Sequence, residues 1–411
     1  MWSVLSANAD LLVNAQVADF NSSQDAIHIT LSYTGSADDV TKKLATGERP
    51  DLLVMGIEGL VNLTDAGIVT NASRCITSDS SFRPDDLLPI GAATYQLRHE
   101  QIAIPLSIST PVLFYNRSTF ARGGLNPDEP PHTLAALRDD LQRLLASGAA
   151  AQGLTFADGG WFISQWAAQL GIELAGSGNG HDVAEHSGPT ISLASTQLLK
   201  ALDALKSMAE AGLIAPKAQT NNEDLLSLLN LGQPAAMALH TSGSTSRAYD
   251  IVDNLSKSDA AVGVGPLPGP GAGGLVGGSA LWITTSDAAK VWPTWTAIRF
   301  FTDSARQAQY GMLGYAPARL SSLSNPALQA EWLRRPGLRV AFDQLVAMSP
   351  DPAHLSVAVG TQPILSWRLN WAGEDITDIT RHLQPADAVA HAQRDAGANL
   401  SVYNALRYAL P

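Results

Sequence analysis

The sequence predicts an α/β protein of two lobes, on three observations. Apolar runs of strand character alternate with amphipathic helical segments from one end of the chain to the other. One of these runs, PDLLVMG (Pro50 to Gly56), is apolar almost without interruption, as in a strand buried on both faces of a parallel sheet. The 411 residues also exceed the length at which a single hydrophobic core stops growing, so two units are expected.

The elements follow in order. IHITLSY (Ile27 to Tyr33) alternates like a half-buried strand, and VTKKLATG (Val40 to Gly47) reads as a short helix stopped by its glycine. With PDLLVMG they form a βαβ pattern. Three further helices are LAALRDDLQRLLASG, STQLLKALDALKSMAEAG and NNEDLLSLLNLG, each with apolar residues at three- and four-residue spacing and a terminal glycine. AAMALHT and SALWITT read as strands. Between Val262 and Gly278 the uncharged stretch VGVGPLPGPGAGGLVGG marks a loop or an interlobe connection. It is not a phosphate-cradling loop: no Lys-Ser/Thr pair follows, and its prolines break the turn-to-helix geometry.

Composition narrows the function. Formal charge is -12, from 26 basic against 38 acidic residues, which excludes an unspecific grip on nucleic acid or anionic lipid. A single cysteine, Cys75, allows neither an internal disulfide nor a thiolate metal cluster. Its surroundings contain nothing to depress its pKa, so it reads as an inert thiol. No apolar run reaches the roughly 18 residues of a membrane span. The start, MWSVLSANAD, lacks the basic and apolar regions of a signal peptide. Neither His-Glu-x-x-His nor Gly-x-Ser-x-Gly occurs, and His99 beside Glu100 reads as a solvated turn before a strand. Binding is favoured over catalysis, and no metal or cofactor is expected.

What remains is a set of aromatic residues in or beside Gly- and Ser-rich loops: Trp161, Trp166, Trp282, Tyr315, Trp367 and Trp371. Aromatic faces suit the C–H faces of a sugar, while Ser hydroxyls and backbone N–H groups satisfy its hydroxyls. For any one of them alone, packing in the core is the favoured reading, and only the placement beside these loops tilts the set toward a ligand.

The segment IAIPLSISTPVLFYNRSTFARGGLNPDEPPHTL, from Ile102, resembles the signature of the family 1 extracellular solute-binding proteins. These are the ligand-capturing subunits of bacterial ABC sugar importers. The similarity is greatest to the branch that binds glycerol-3-phosphate and glycerophosphodiesters. Trp2, YTG (Tyr33 to Gly35), Glu58, the Trp161 loop, TSGS (Thr241 to Ser244), GGSALWI (Gly277 to Ile283) and GYAPAR (Gly314 to Arg319) support it in order along the chain.

The resemblance implies a two-lobed periplasmic-binding-protein fold of type II, a Venus flytrap with the ligand cleft between α/β lobes. Residues 1–111 and 265–313 would form the N-terminal lobe, and 112–264 and 314–411 a more helical C-terminal lobe. STPVLFYN would be the strand that crosses between them, with Ser109 and Thr110 at the cleft mouth and the Gly/Pro stretch as a hinged return. The ligand contacts it implies fall on Glu58, Ser109, Trp161, Ser242 or Ser244, Gly278 and Tyr315. Glu58 would accept from hydroxyls or pair with an ammonium, Gly278 would offer its N–H, and Trp161 would stack. As alternatives, Glu58 could be a helix N-terminal acid and Tyr315 could close a turn with Gly314.

Two departures from the branch bear on the ligand. Its phosphate-holding arginine falls on Ala358, with Arg368 ten residues on as a substitute, and an upstream Tyr contact falls on Ala37. A buried phosphate without a guanidinium is poorly compensated. The expected cargo is therefore a neutral or amino-bearing saccharide, with glycerol-3-phosphate or a glycerophosphodiester as the alternative. The expected protein is a monomeric, extracytoplasmic subunit that serves ABC permeases, tethered by a lipid anchor missing from this chain. The alternative of another class is a glycoside-cleaving enzyme that pairs Glu58 with Asp38 or Asp65.

Overall fold

Two five-stranded sheets carry the molecule. The computed structural model describes residues 1–4, 8–157, 161–183, 190–217, 228, 235–256, 261–358 and 384–408. The first sheet contains β1 (Trp2–Ser3), β2 (Ser32–Tyr33), β3 (Leu52–Met55), β6 (Ile104–Ser109) and β12 (Gly277–Ile283), in the order β2-β1-β3-β12-β6. A separate hairpin joins β4 (Gln96–Leu97) and β5 (Glu100–Gln101). The second sheet contains β7 (Pro111–Asn116), β8 (Gln152–Ala157), β9 (Ile214–Lys217), β10 (Ala235–Thr241) and β11 (Val262–Pro266), in the order β11-β7-β10-β8-β9.

The apolar run of β3 is buried at all four positions between β1 and β12, as its sequence requires. The strand expected at Ile27 to Tyr33 is much shorter, only Ser32–Tyr33, and both residues are exposed. The reason is its partner: β2 is an edge strand and pairs only with the two-residue β1. Before it, backbone groups are met by side chains instead, with Ile29 N donating to Asn21 Oδ1 at 2.8 Å.

Helix starts obey local chemistry. Ser36 and Asp39 form a reciprocal capping box that opens helix Ala37–Ala45, three residues before the expected start. Thr133 caps Leu134–Ala146, which buries Leu134, Leu137, Leu141 and Leu144 on one face. Ser195 caps Thr196–Glu210 in the same way. The helix expected at Asn221 to Gly232 lies outside the described residues, apart from the buried Leu228.

The chain passes from the first sheet to the second through one residue, Thr110, between β6 and β7. It returns between Pro266 and Gly277. The Gly/Pro stretch is thus strand at both ends and loop only in its middle, and that loop is pinned. Trp166 Nε1 donates to Pro268 O at 3.0 Å, and Gln169 Nε2 donates to Leu267 O at 3.1 Å and Gly273 O at 2.9 Å. A Cβ on Gly269 would stand 1.7 Å from Gln169 Oε1, so glycine is set by close approach to helix Trp161–Gln169.

Both crossings meet at Gln344. Its Nε2 donates to Thr110 Oγ1 at 2.9 Å and to Pro111 O at 3.0 Å, while Oε1 accepts from Leu267 N at 2.8 Å. All three bonds are buried. Gln344→Leu keeps the bulk and leaves these partners unmet, and should cost about 2–5 kcal/mol of unfolding free energy at unchanged m-value. Urea denaturation checks this, and a loss below about 1 kcal/mol contradicts it.

Candidate functional site

Strand direction converges the polar residues. β6 and β3 run parallel to each other and antiparallel to β12, so Met55, Ser109 and the start of β12 share one edge of the first sheet. In the second sheet Thr241 pairs with Pro111 and Phe156 with Leu239, which brings the ends of β10 and β8 to the same crossing. Ligand crevices of open α/β sheets lie outside these carboxyl ends.

Ser109 is buried at 5% exposure, pairs in register with Gly277, and its hydroxyl makes no hydrogen bond among the described residues. Ser242 is committed to the crossing: its N–H donates to Thr110 O at 2.8 Å and its Oγ accepts from Thr110 N at 3.2 Å. Ser244, half-buried in the same turn, leaves its hydroxyl uncommitted among the described residues. Tyr315 lies against this turn, since a Cβ on Gly243 would stand 2.7 Å from its hydroxyl. Gly314 at φ +100° lets Tyr315 approach, with Ser242 O only 2.5 Å from where a Cβ would be. Gly278 follows the Gly277–Ser109 pair at φ +91°, where a Cβ would collide with Ser107 O at 1.8 Å. Ser107 and Ser279 share a buried hydroxyl hydrogen bond of 2.8 Å beside it.

Ser109, Ser242, Ser244, Gly278 and Tyr315 are therefore brought together at the crossing. Glu58 stands on the same edge, three residues beyond β3, at the start of helix Gly59–Asp65. It does not cap that helix; Oε1 accepts from Gly56 N at 3.1 Å. Trp161 opens helix Trp161–Gln169 after β8, and its side chain lies outside the described residues, as do Trp367, Arg368 and Trp371. Trp166 and Trp282 are core, the reading favoured for each alone: both are wholly buried, and Trp282 Nε1 donates to Met55 O at 3.0 Å with its ring edge-on to Tyr95. Ala358 seats a buried methyl among Leu53, Met55 and Trp282, and its N–H donates to Asn179 O at 2.7 Å.

Sequence reasoning missed a neighbouring group. Asp10, in the first turn of helix Asn8–Ser23, has a buried Oδ1 without a hydrogen-bond partner. Burial pushes its carboxyl up to about 6. Tyr33 donates its hydroxyl to Asp10 O at 3.0 Å. Burial pushes Tyr315 up to about 12, with the Asp10 charge adding to the rise. Tyr310 stands edge-on to Tyr315 at 5.9 Å between ring centres. A lone acidic residue in a helix start carries no sequence signal for such a cluster.

With this geometry in place, comparison with known proteins is direct. Residues 15–336 match the family described as bacterial extracellular solute-binding proteins. The chain belongs to that family. Among curated relatives, the sn-glycerol-3-phosphate-binding periplasmic protein UgpB of Yersinia enterocolitica is 23% identical over 381 residues, 88% of this chain and 83% of that protein. UgpB of Salmonella typhimurium is 24% identical over 63% of this chain, and the match spans only 58% of that relative's length. Among solved structures, the sugar-binding protein MalE from Xanthomonas citri superposes with a TM-score of 0.80 at 18% identity, over 98% of both chains. UgpB from Mycobacterium tuberculosis in complex with glycerophosphocholine superposes at 0.77 and 18%, again over 98% of both. The solute-binding protein thus has the two-lobed periplasmic-binding-protein fold.

No described helix of the solute-binding protein is long and apolar enough to cross a membrane. Cys75 is buried, and burial raises its thiol pKa. His99 is the solvated turn expected, at φ +63° with its side chain 91% exposed.

Two outcomes are expected. Gly278→Ala places a methyl on Ser107 O in a backbone region closed to L-residues and should lower stability by about 2 kcal/mol or more, read by thermal melting. Asp10→Asn should make the ligand-free protein melt higher than wild type at pH 7.5, with the gap closing near pH 4. The folded carboxyl, at about 6 against the ordinary 3.8, is neutral below both values, and its burial penalty enters as pH rises through that window.

Proposed function

We propose that this protein is the extracytoplasmic substrate-binding subunit of an ABC importer and captures a carbohydrate, an amino sugar or oligosaccharide, between its lobes. The observation that carries this reading is the convergence of Ser109, Ser244, Gly278 and Tyr315 at the crossing: hydroxyls, a glycine backbone and a phenol, without a reacting group. Such a surface offers several neutral donors and acceptors, which is what sugar hydroxyls require. Family membership and the relatives' names support the importer role.

The lobes in this reading are residues 1–111 with 265–313 and residues 112–264 with 314–411; the crossing at Thr110 and the return between Pro266 and Gly277 support its first two boundaries. Glu58, Ser109, Ser244, Gly278 and Tyr315 contact the ligand in this reading, with Trp161 as the stacking residue proposed from the family resemblance, while Ser242, expected as a contact, is instead spent on holding Thr110. Closure follows from contacts to both lobes at once, because a solute that touches one lobe does not favour the closed state. The protein works as a monomer with ABC permease subunits and is held at the membrane by a lipid anchor. It performs no covalent chemistry.

The second reading, a glycerol-3-phosphate or glycerophosphodiester ligand, is favoured by the UgpB relatives. Against it stands the apolar seat of Ala358, where the branch would place a guanidinium. Calorimetry with maltose, cellobiose, glucosamine, glycerol-3-phosphate and glycerophosphocholine decides. Heat with a saccharide is expected; binding of the phosphodiester alone would overturn the choice of cargo.

A further inference from the structure

Asp10 is unusual among the carboxylates of this protein. Its Oδ1 is buried and unpartnered, and burial, with no opposing cation, sets its acidity. The helices packed against Asn8–Ser23 carry Lys290, Arg299 and Arg306, and each is engaged elsewhere: Lys290 with Asp51, Arg299 with Asp79 and Arg306 with Asp303. The turn Ser242–Ser244, which also touches this helix, brings no charge.

Two phenols, Tyr33 and Tyr315, stand near the carboxylate, and a third, Tyr310, lies behind them. Tyr33, 44% exposed, leaves a way in from solvent. Tyr315 feels the Asp10 charge. Tyr310 is wholly buried, yet its hydroxyl has no hydrogen-bond partner. It lies close enough to the hydroxyls of Tyr315 and Tyr33 for charge on either to oppose its ionisation. An independent buried polar group is thus unsatisfied on the wall that holds Asp10. A buried polar group left unmet marks either a strain reservoir or a place kept for a ligand.

We propose that Asp10, Tyr33, Tyr310 and Tyr315 form a subsite for a primary ammonium group of the solute, placed beside the Ser242–Ser244 turn. This rests on the carbohydrate reading above and narrows it to an amino sugar. An ammonium brings three donors and a charge. It fills the empty lone pair of Oδ1, keeps the carboxylate ionised in a desolvated place, and meets the electron-rich phenols. A neutral hydroxyl supplies one donor and leaves the burial of the anion uncompensated. Glu58, by contrast, already folds back on Gly56 N and lies at a different strand end. Retaining an ionised Asp10 costs stability in the empty protein, as expected of a group kept for binding.

The test uses matched sugars that differ only in an amino for a hydroxyl group: glucosamine against glucose, and the β1,4-linked glucosamine dimer against cellobiose. Calorimetry at pH 7.5 on wild type should show the amino member of a pair binding about tenfold or more tightly. Asp10→Asn should erase that preference while hydroxyl-sugar affinity stays within about twofold. Tyr310→Phe, which removes only the orphan hydroxyl, should weaken the amino sugar alone. Amino-sugar affinity should also fall as pH drops below about 6 in wild type and not in Asp10→Asn. Equal affinity within each pair, or a preference that survives Asp10→Asn, overturns this inference and leaves the carbohydrate reading standing. Failure of wild type to bind any of these four saccharides or maltose overturns the carbohydrate reading, and the inference with it. Melting of both variants without sugar distinguishes a misfolded protein from a lost contact.

Discussion

The single peptide at Thr110 decides how the two halves of this protein meet. On one side Ser242 holds it from both directions, through its own N–H to Thr110 O and its Oγ to Thr110 N. On the other, Gln344 takes the hydroxyl of Thr110 and ties it to the return crossing at Leu267. A strand that leaves one sheet and enters another exposes its backbone groups just where no neighbouring strand is available. Here side-chain amides and hydroxyls stand in for the missing ladder.

The same constraint shapes the ligand site. Because Thr110 fixes where β6 ends and β7 begins, it also fixes where Ser109 points and how close the Ser242–Ser244 turn comes to Tyr315. Glycines at 243, 278 and 314 then allow contacts that any Cβ would block. The polar groups fall into two kinds. Ser242, Thr110, Gln344, Ser107 and Ser279 are satisfied within the protein and hold the frame. Among the described residues, the hydroxyls of Ser109 and Ser244 and the Oδ1 of Asp10 have no hydrogen-bond partner and face the question of a ligand.

Stability and capture pull in opposite directions at that surface. A carboxylate pushed up to about 6 and a buried phenol without a partner are both unfavourable in the empty protein. The surrounding core tolerates them because it is extensive: Val13, Val17 and Phe20 of the same helix are anchored among Leu281, Trp295 and Phe301.

Much was legible from residue order alone. The unbroken apolar run Leu52–Met55 demanded a doubly covered strand, the three- and four-residue apolar spacing of LAALRDDLQRLLASG and STQLLKALDALKSMAEAG announced helices, and the solute-binding family was readable from Ile102 onward, since each depends on neighbours in the chain. The strand expected at Ile27 to Tyr33 shrank to two residues because its length depends on a partner, β1, that local alternation does not describe. Placement beside glycine loops left a ligand role open for Trp166 and Trp282, and the packing of helix Trp161–Gln169 on the return crossing and of Trp282 on Tyr95 decided for the core. The Asp10 cluster joins residues 10, 33, 310 and 315. No local pattern links positions so distant, and the antiparallel entry of β12 and the helices after it bring them to one wall.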